Sequence, residues 1–118
     1  YSMLVATDVA LSAYVHRGAA DPGVVGALWV THNAVFGVLL VGIAVALAGL
    51  SASAAAAGFL ARRWQVAGTL GGLALAAAGA AAPALVDGSR IIGLGLVGFL
   101  TWLAFVAACS ITMLRRPD

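Results

Sequence analysis

The chain has no lysine, no glutamate, one cysteine (Cys109), three prolines and few ionised side chains: six arginines and four aspartates. Each scarcity excludes something. A single thiol forms no internal disulfide, and no Cys/His spacing suits a metal cluster or a covalently attached haem. Without lysine there is no Gly-x-x-x-x-Gly-Lys phosphate loop, and without glutamate no His-Glu-x-x-His zinc helix. The serines include none in a Gly-x-Ser-x-Gly turn. These gaps predict that the chain is not an enzyme and holds no metal. Charged residues make up 8%, against about 25% in soluble domains. The net charge of +2 is spread over loops, so it sets orientation and is no footprint for nucleic acid.

What remains is apolar. Hydrophobic residues make up 64% of 118 positions, mean hydropathy is +1.11, and 28 alanines with 15 glycines give the bias of a high-GC bacterium. A soluble globular domain is excluded, and so is a disordered tail. Polar turn-forming sequence interrupts the apolar run at residues 16–23 (HRGAADPG), 61–65 (ARRWQ) and 87–90 (DGSR). Backbone polar groups in lipid must be satisfied internally, and the alternating pattern of a barrel is missing, so the stretches between are helices. The expected fold is all-α: a polytopic four-transmembrane-helix bundle in the bacterial plasma membrane, with spans at 1–16, 24–48, 66–86 and 91–113.

Arginine bias sets the orientation. Arg62, Arg63, Arg115 and Arg116 fall on one side against Arg17 and Arg90 on the other, which predicts both termini inside. Trp64 then lies at the inner interface and Tyr14 at the outer one. The first span offers about 24 Å of helix for a core of about 30 Å, so its helix is expected to begin upstream of Tyr1. Asp21 and Pro22 form a helix start, as N-cap and first helical residue. Residues 49–60 read as a cytoplasmic extension or a break, and a rival register places 36–60 in lipid with 22–35 on the outer surface. Pro83 is expected to bend or end the third helix. Asp87 and Arg90 flank a Gly-Ser turn and are expected to cap helices three and four.

Small residues at four-residue spacing let helices approach closely. Gly68, Gly72, Ala76 and Ala80 form one such line, and Ala44, Ala48, Ala52 and Ala56 another. They serve either contacts within the unit or self-association. Cys109 reads as a small packing residue.

Ionisable groups within a span carry the functional signal. Asp8, Ser12 and His16 share a face of the first helix, while Thr31, His32 and Asn33 interrupt the second. Counting from the outer interface puts both Asp8 and His32 about 12 Å deep, at equal level on antiparallel neighbours. The expected polar intramembrane site is therefore Asp8, His32, Asn33 and Ser12, with Gly98, Thr101 and Trp102 near the same level or slightly deeper. Such a pair can fix helix register, pass a proton in a transport unit, or support His32 as axial ligand of a haem or chlorin. No cofactor is required by the leading reading. In it the chain is a non-catalytic accessory or scaffolding subunit of a larger membrane complex, whose partners are lipid and either other subunits or further copies of itself.

Overall fold

The computed structural model describes residues 2–18, 21–85 and 92–115 and is all-helical. The elements are α1 (Ser2–His16), α2 (Pro22–Ala56), α3 (Arg62–Ala80), the single turn α4 (Ala82–Leu85) and α5 (Ile92–Leu114). Two of them, α2 and α5, are long and apolar enough to cross a membrane. Asp87, Arg90 and Arg116 lie outside the described residues, so the capping expected of the first two is not addressed.

The ends of α2 follow from local chemistry. Asp21 is its N-cap, Oδ1 accepting from the Gly23 N–H at 2.7 Å, and Pro22 fills the first helical position. The helix then runs 35 residues without interruption, about 52 Å. The break considered at residues 49–60 is absent at Gly49, because one interior glycine costs only about 1 kcal/mol. The stop comes at Gly58, whose φ of 60° is left-handed. There the Phe59 N–H donates to Ala54 O at 2.8 Å and the Gly58 N–H to Ala55 O at 3.0 Å, the paired bonds of a Schellman motif. The third helix likewise starts earlier than expected, with Arg62 and Arg63 in its first turn. It ends at Ala80, with Ala81 as its C-cap, three residues before Pro83, as expected where a proline ends a helix.

Packing follows a three–four alternation. On α2 the buried positions are Asn33, Gly37, Leu40, Ala44, Leu47 and Ser51; on α3 they are Gly68, Gly71, Gly72, Leu75, Ala78 and Gly79. On α5 Gly95, Gly98 and Phe105 are buried. This 3.5-residue repeat is the seam of coiled-coil-like packing. Within the chain the seam departs from the four-residue lines: Ala48, Ala52, Ala56 and Ala80 are exposed and Ala76 only half-buried. Each four-residue step advances about 400° around the helix, so such a line drifts about 40° per step off the contact face. Gly68, Gly72 and Ala44 stay in the seam, which is a contact within the chain.

Glycines set the separations. A methyl added to Gly79 would lie 2.7 Å from Gly37 O, and one on Gly98 would lie 2.9 Å from Gly71 O. Gly37 meets Gly79, Ala44 meets Gly72 and Ser51 meets Gly68, so α2 and α3 are antiparallel. Gly95 against Ala78, and Gly98 and Thr101 against Gly71, make α3 and α5 antiparallel as well. The short link from His16 to Pro22 makes α1 antiparallel to α2. Arg62, Arg63 and Arg115 therefore share one end of the molecule and Arg17 lies at the other.

The helices do not close into a bundle. α3 lies between α2 and α5, while α1 packs along α2 and makes no comparable contact with α3 or α5. The array is also staggered. α1 meets the first half of α2, where Asp8 touches His32. α5 follows the second half, with Gly95 near Leu40 and Phe105 beside Gly68 where it meets Ser51.

Candidate functional site

α1 presents Leu4, Thr7, Leu11 and Tyr14 toward α2 at the same three–four spacing, all partly buried. That places Thr7 and Asp8 beside His32. The imidazole Nδ1 lies 3.2 Å from Asp8 Oδ1 and 3.3 Å from Thr7 Oγ1. The Thr7 hydroxyl spends its one proton on Leu4 O, at 2.8 Å, so toward His32 its oxygen only accepts. Nδ1 must then carry the ring proton, and both neighbours accept from it. In the neutral ring Nε2 keeps its lone pair, and among the described residues it has no hydrogen-bond partner.

The ring is held from a second direction. Trp29, one turn earlier on α2, stacks on His32 with centroids 5.8 Å apart and planes 14° from parallel. The His32 side chain is 16% exposed and that of Asp8 59%. The two residues paired by counting along the sequence are thus in contact, with the carboxylate on the open side. Thr7 and Trp29 were not foreseen. Thr7 is next to Asp8 and Trp29 is one turn from His32, so both could have been found by asking what fixes the ring.

The other nominated residues are not brought to the pair. Asn33 is buried and donates through Nδ2 to Trp29 O at 2.8 Å, inside its own helix. Ser12 is exposed, and its carbonyl oxygen lies 3.0 Å from His16 Nδ1. The second imidazole lies about two turns of α1 from Asp8, about 12 Å farther along the helix than His32, and this separation, not its local bond, keeps a bis-histidine tetrapyrrole site from being assembled. Thr31 is exposed and donates to Ala27 O. Thr101 packs its methyl on Gly71, which also faces Leu47, putting it about 22 Å farther along α2 than His32. The expectation of a shared level fails because α5 is paired with the far half of α2. Trp102 instead lies against Phe99, centroids 5.5 Å apart. Among the described residues no three His, Cys, Asp or Glu side chains gather to hold a metal ion. Cys109 is a partly buried free thiol packed against the core.

One apolar notch adjoins this region. About 270 Å³ of space lies between α2 and α5 over α3, lined by Phe36, Leu39, Ile43, Ala78, Leu96 and Phe99 among others. Phe36 follows His32 by one turn on the same side of α2.

Comparison with models of known families, with curated proteins and with solved structures finds no match to this chain.

Proposed function

We propose that the chain is a non-catalytic, multi-pass protein of the bacterial plasma membrane that works by lateral association, as an accessory or scaffolding subunit or with further copies of itself. The observation that carries this reading is its uncovered apolar surface. Val38 is 74% exposed and Leu96 59%, and Val45, Leu70 and Leu73 are similarly open. The accessible surface is 7590 Å² for 11.7 kDa, where a compact monomer of that mass has about 5,900 Å². Lipid covers part of such a surface, and the open side of the array offers helix faces to neighbours. By arginine bias the arginine-rich end, where α5 ends and toward which the N-terminal end of α1 points, is cytoplasmic. Light scattering of the detergent-solubilised protein, with identification of co-purifying chains, tests association. A monomer that brings nothing with it defeats the reading.

The Asp8–His32 contact favours a second reading, in which the pair handles a proton in a transport unit. An unprotonated Nε2 beside a carboxylate-held Nδ1 can take up a proton and give it back. Asp8→Asn in proteoliposomes, assayed for proton and solute flux, decides it: unchanged flux removes Asp8 from any such path.

A further inference from the structure

Polar and apolar features fall on one stripe of α2. Trp29, His32, Phe36, Leu39 and Ile43 recur at three- and four-residue steps on one side of the helix. The first two form the stacked imidazole site and the last three wall the notch. From His32 to Ile43 the stripe is about 16 Å long. At its end toward Asp21 stand two acceptors: Nε2, without a hydrogen-bond partner among the described residues and held in its tautomer by Thr7 and Asp8, and the exposed Asp8 carboxylate beside it. The rest is hydrocarbon. Pockets that recognise small molecules have this make-up, apolar walls with few placed polar atoms.

Size limits what fits. The notch holds about 270 Å³, whereas a dry apolar cavity of about 150 Å³ takes a benzene ring and drug-sized ligands need about 300–1,000 Å³. A single ring or one folded chain is accommodated; a tetrapyrrole is not enclosed. The polar end offers acceptors only, Nε2 and the Asp8 carboxylate, so the head must donate, and the carboxylate disfavours an anion there. We infer that the His32 end and the notch together form a lateral binding site for a neutral hydroxyl-headed amphiphile, its hydroxyl donating to His32 Nε2 and its hydrocarbon body lying between Phe36 and Phe99. The inference goes beyond lateral association and needs no partner subunit. It rests only on the chain being membrane-embedded, which carbonate extraction of membranes checks separately.

Tryptophans report on the site. Trp102 lies against Phe99 at the notch, while Trp64 is at the arginine-rich end of the array and serves as internal reference. Variants keep either Trp102 or Trp64, with the other replaced by Phe, and carry Trp29→Phe, which retains an aromatic ring on His32. They are titrated in detergent micelles with terminally brominated dodecanol, with brominated dodecane and with brominated dodecanoate. Bromododecanol is expected to quench Trp102 saturably, at a mole fraction about tenfold below that needed for the hydrocarbon, the size of one hydrogen bond. His32→Ala should erase that difference, and Leu96→Phe, an exposed position at the notch, should weaken quenching by both while leaving Trp64 unchanged. Equal quenching by alcohol and hydrocarbon, equal quenching of Trp64 and Trp102, an unaffected His32→Ala protein, or stronger binding of the carboxylate would each overturn the proposal.

Discussion

Single atoms decide several properties of this molecule, and the hydrogen on His32 Nδ1 is the clearest. The Thr7 hydroxyl points its proton at Leu4 O, so the neutral His32 ring should be the Nδ1–H tautomer. Long-range proton–nitrogen NMR of the labelled protein checks this, and a protonated Nε2 with bare Nδ1 refutes it. Thr7→Ser should keep the tautomer, because the hydroxyl is retained. Glycines matter in the same atomic way. A methyl at Gly79 would meet Gly37 O at 2.7 Å and the Val41 side chain at 2.8 Å, while one at Gly42 meets nothing within 4 Å. Gly79→Ala should therefore destabilise by about 1–3 kcal/mol through overpacking. Gly42→Ala should be neutral or stabilise by up to about 1 kcal/mol, since alanine is the better helix former. Titration of the solubilised protein with SDS separates the two, and similar midpoints for both variants would mean that α2 and α3 are not packed as described. Asp8 and His32 were legible from the sequence because depth in a helix is a matter of counting. Asn33 was not, because its bond to Trp29 O is local and leaves no mark in spacing.

For whole helices, start signals were easier to read than stops. Asp21-Pro22 announces α2 through a side chain and a ring, each with one structural meaning. Its end is set by backbone, since Gly58 is needed for its left-handed φ of 60° while Gly49 sits in ordinary helix. Glycine alone does not tell these cases apart. The distinction gives a paired prediction: Gly58→Ala should cost about 1 kcal/mol from the left-handed strain, partly offset by a stiffer unfolded chain. Gly49→Ala should stabilise by about as much. The same SDS titration reads both, and a destabilising Gly49→Ala would restore a break inside α2. The lines that pack within the chain were hard to pick out for a related reason. Alanine is so abundant that a four-residue line can be drawn on almost any face, whereas the 3.5-residue repeat marks the face that meets a neighbour. The cations in the first turn of α3 run against its helix dipole. Their position fits an interface role better than helix stability, and the arginine of Arg115 lies at the same end.

The whole array is about 60 Å long, twice the thickness of a hydrocarbon core of about 30 Å, so in the proposed membrane placement the stagger decides what lies in lipid. A slab that encloses α5 along its about 34 Å covers α2 from near residue 36 to its end. It puts Arg62, Arg63, Trp64 and Arg115 together at one boundary. A slab over residues 24–48 would leave the last turns of α5, with Ile111, Met113 and Leu114, in water; those three are exposed in the isolated chain. Burial of these side chains, worth about 1.5–3 kcal/mol each, argues for the register with 36–60 in lipid, while Met3, Val5, Val9, Val24, Trp29 and Val30, exposed at the other end, argue for 24–48. With 36–60 in lipid the Asp8–His32 contact sits at the outer boundary instead of about 12 Å beneath it, where a hydroxyl head would meet it and a hydrocarbon tail would reach down the notch. Single cysteines on a Cys109→Ala background test the placement in intact cells with a membrane-impermeant maleimide. Thr31→Cys should label from outside and Val45→Cys should not, both positions being exposed in the isolated chain and so differing only in what surrounds them. Protection of Thr31→Cys together with labelling of Ala52→Cys in inverted vesicles would instead place residues 24–48 in the bilayer and return the pair to its interior.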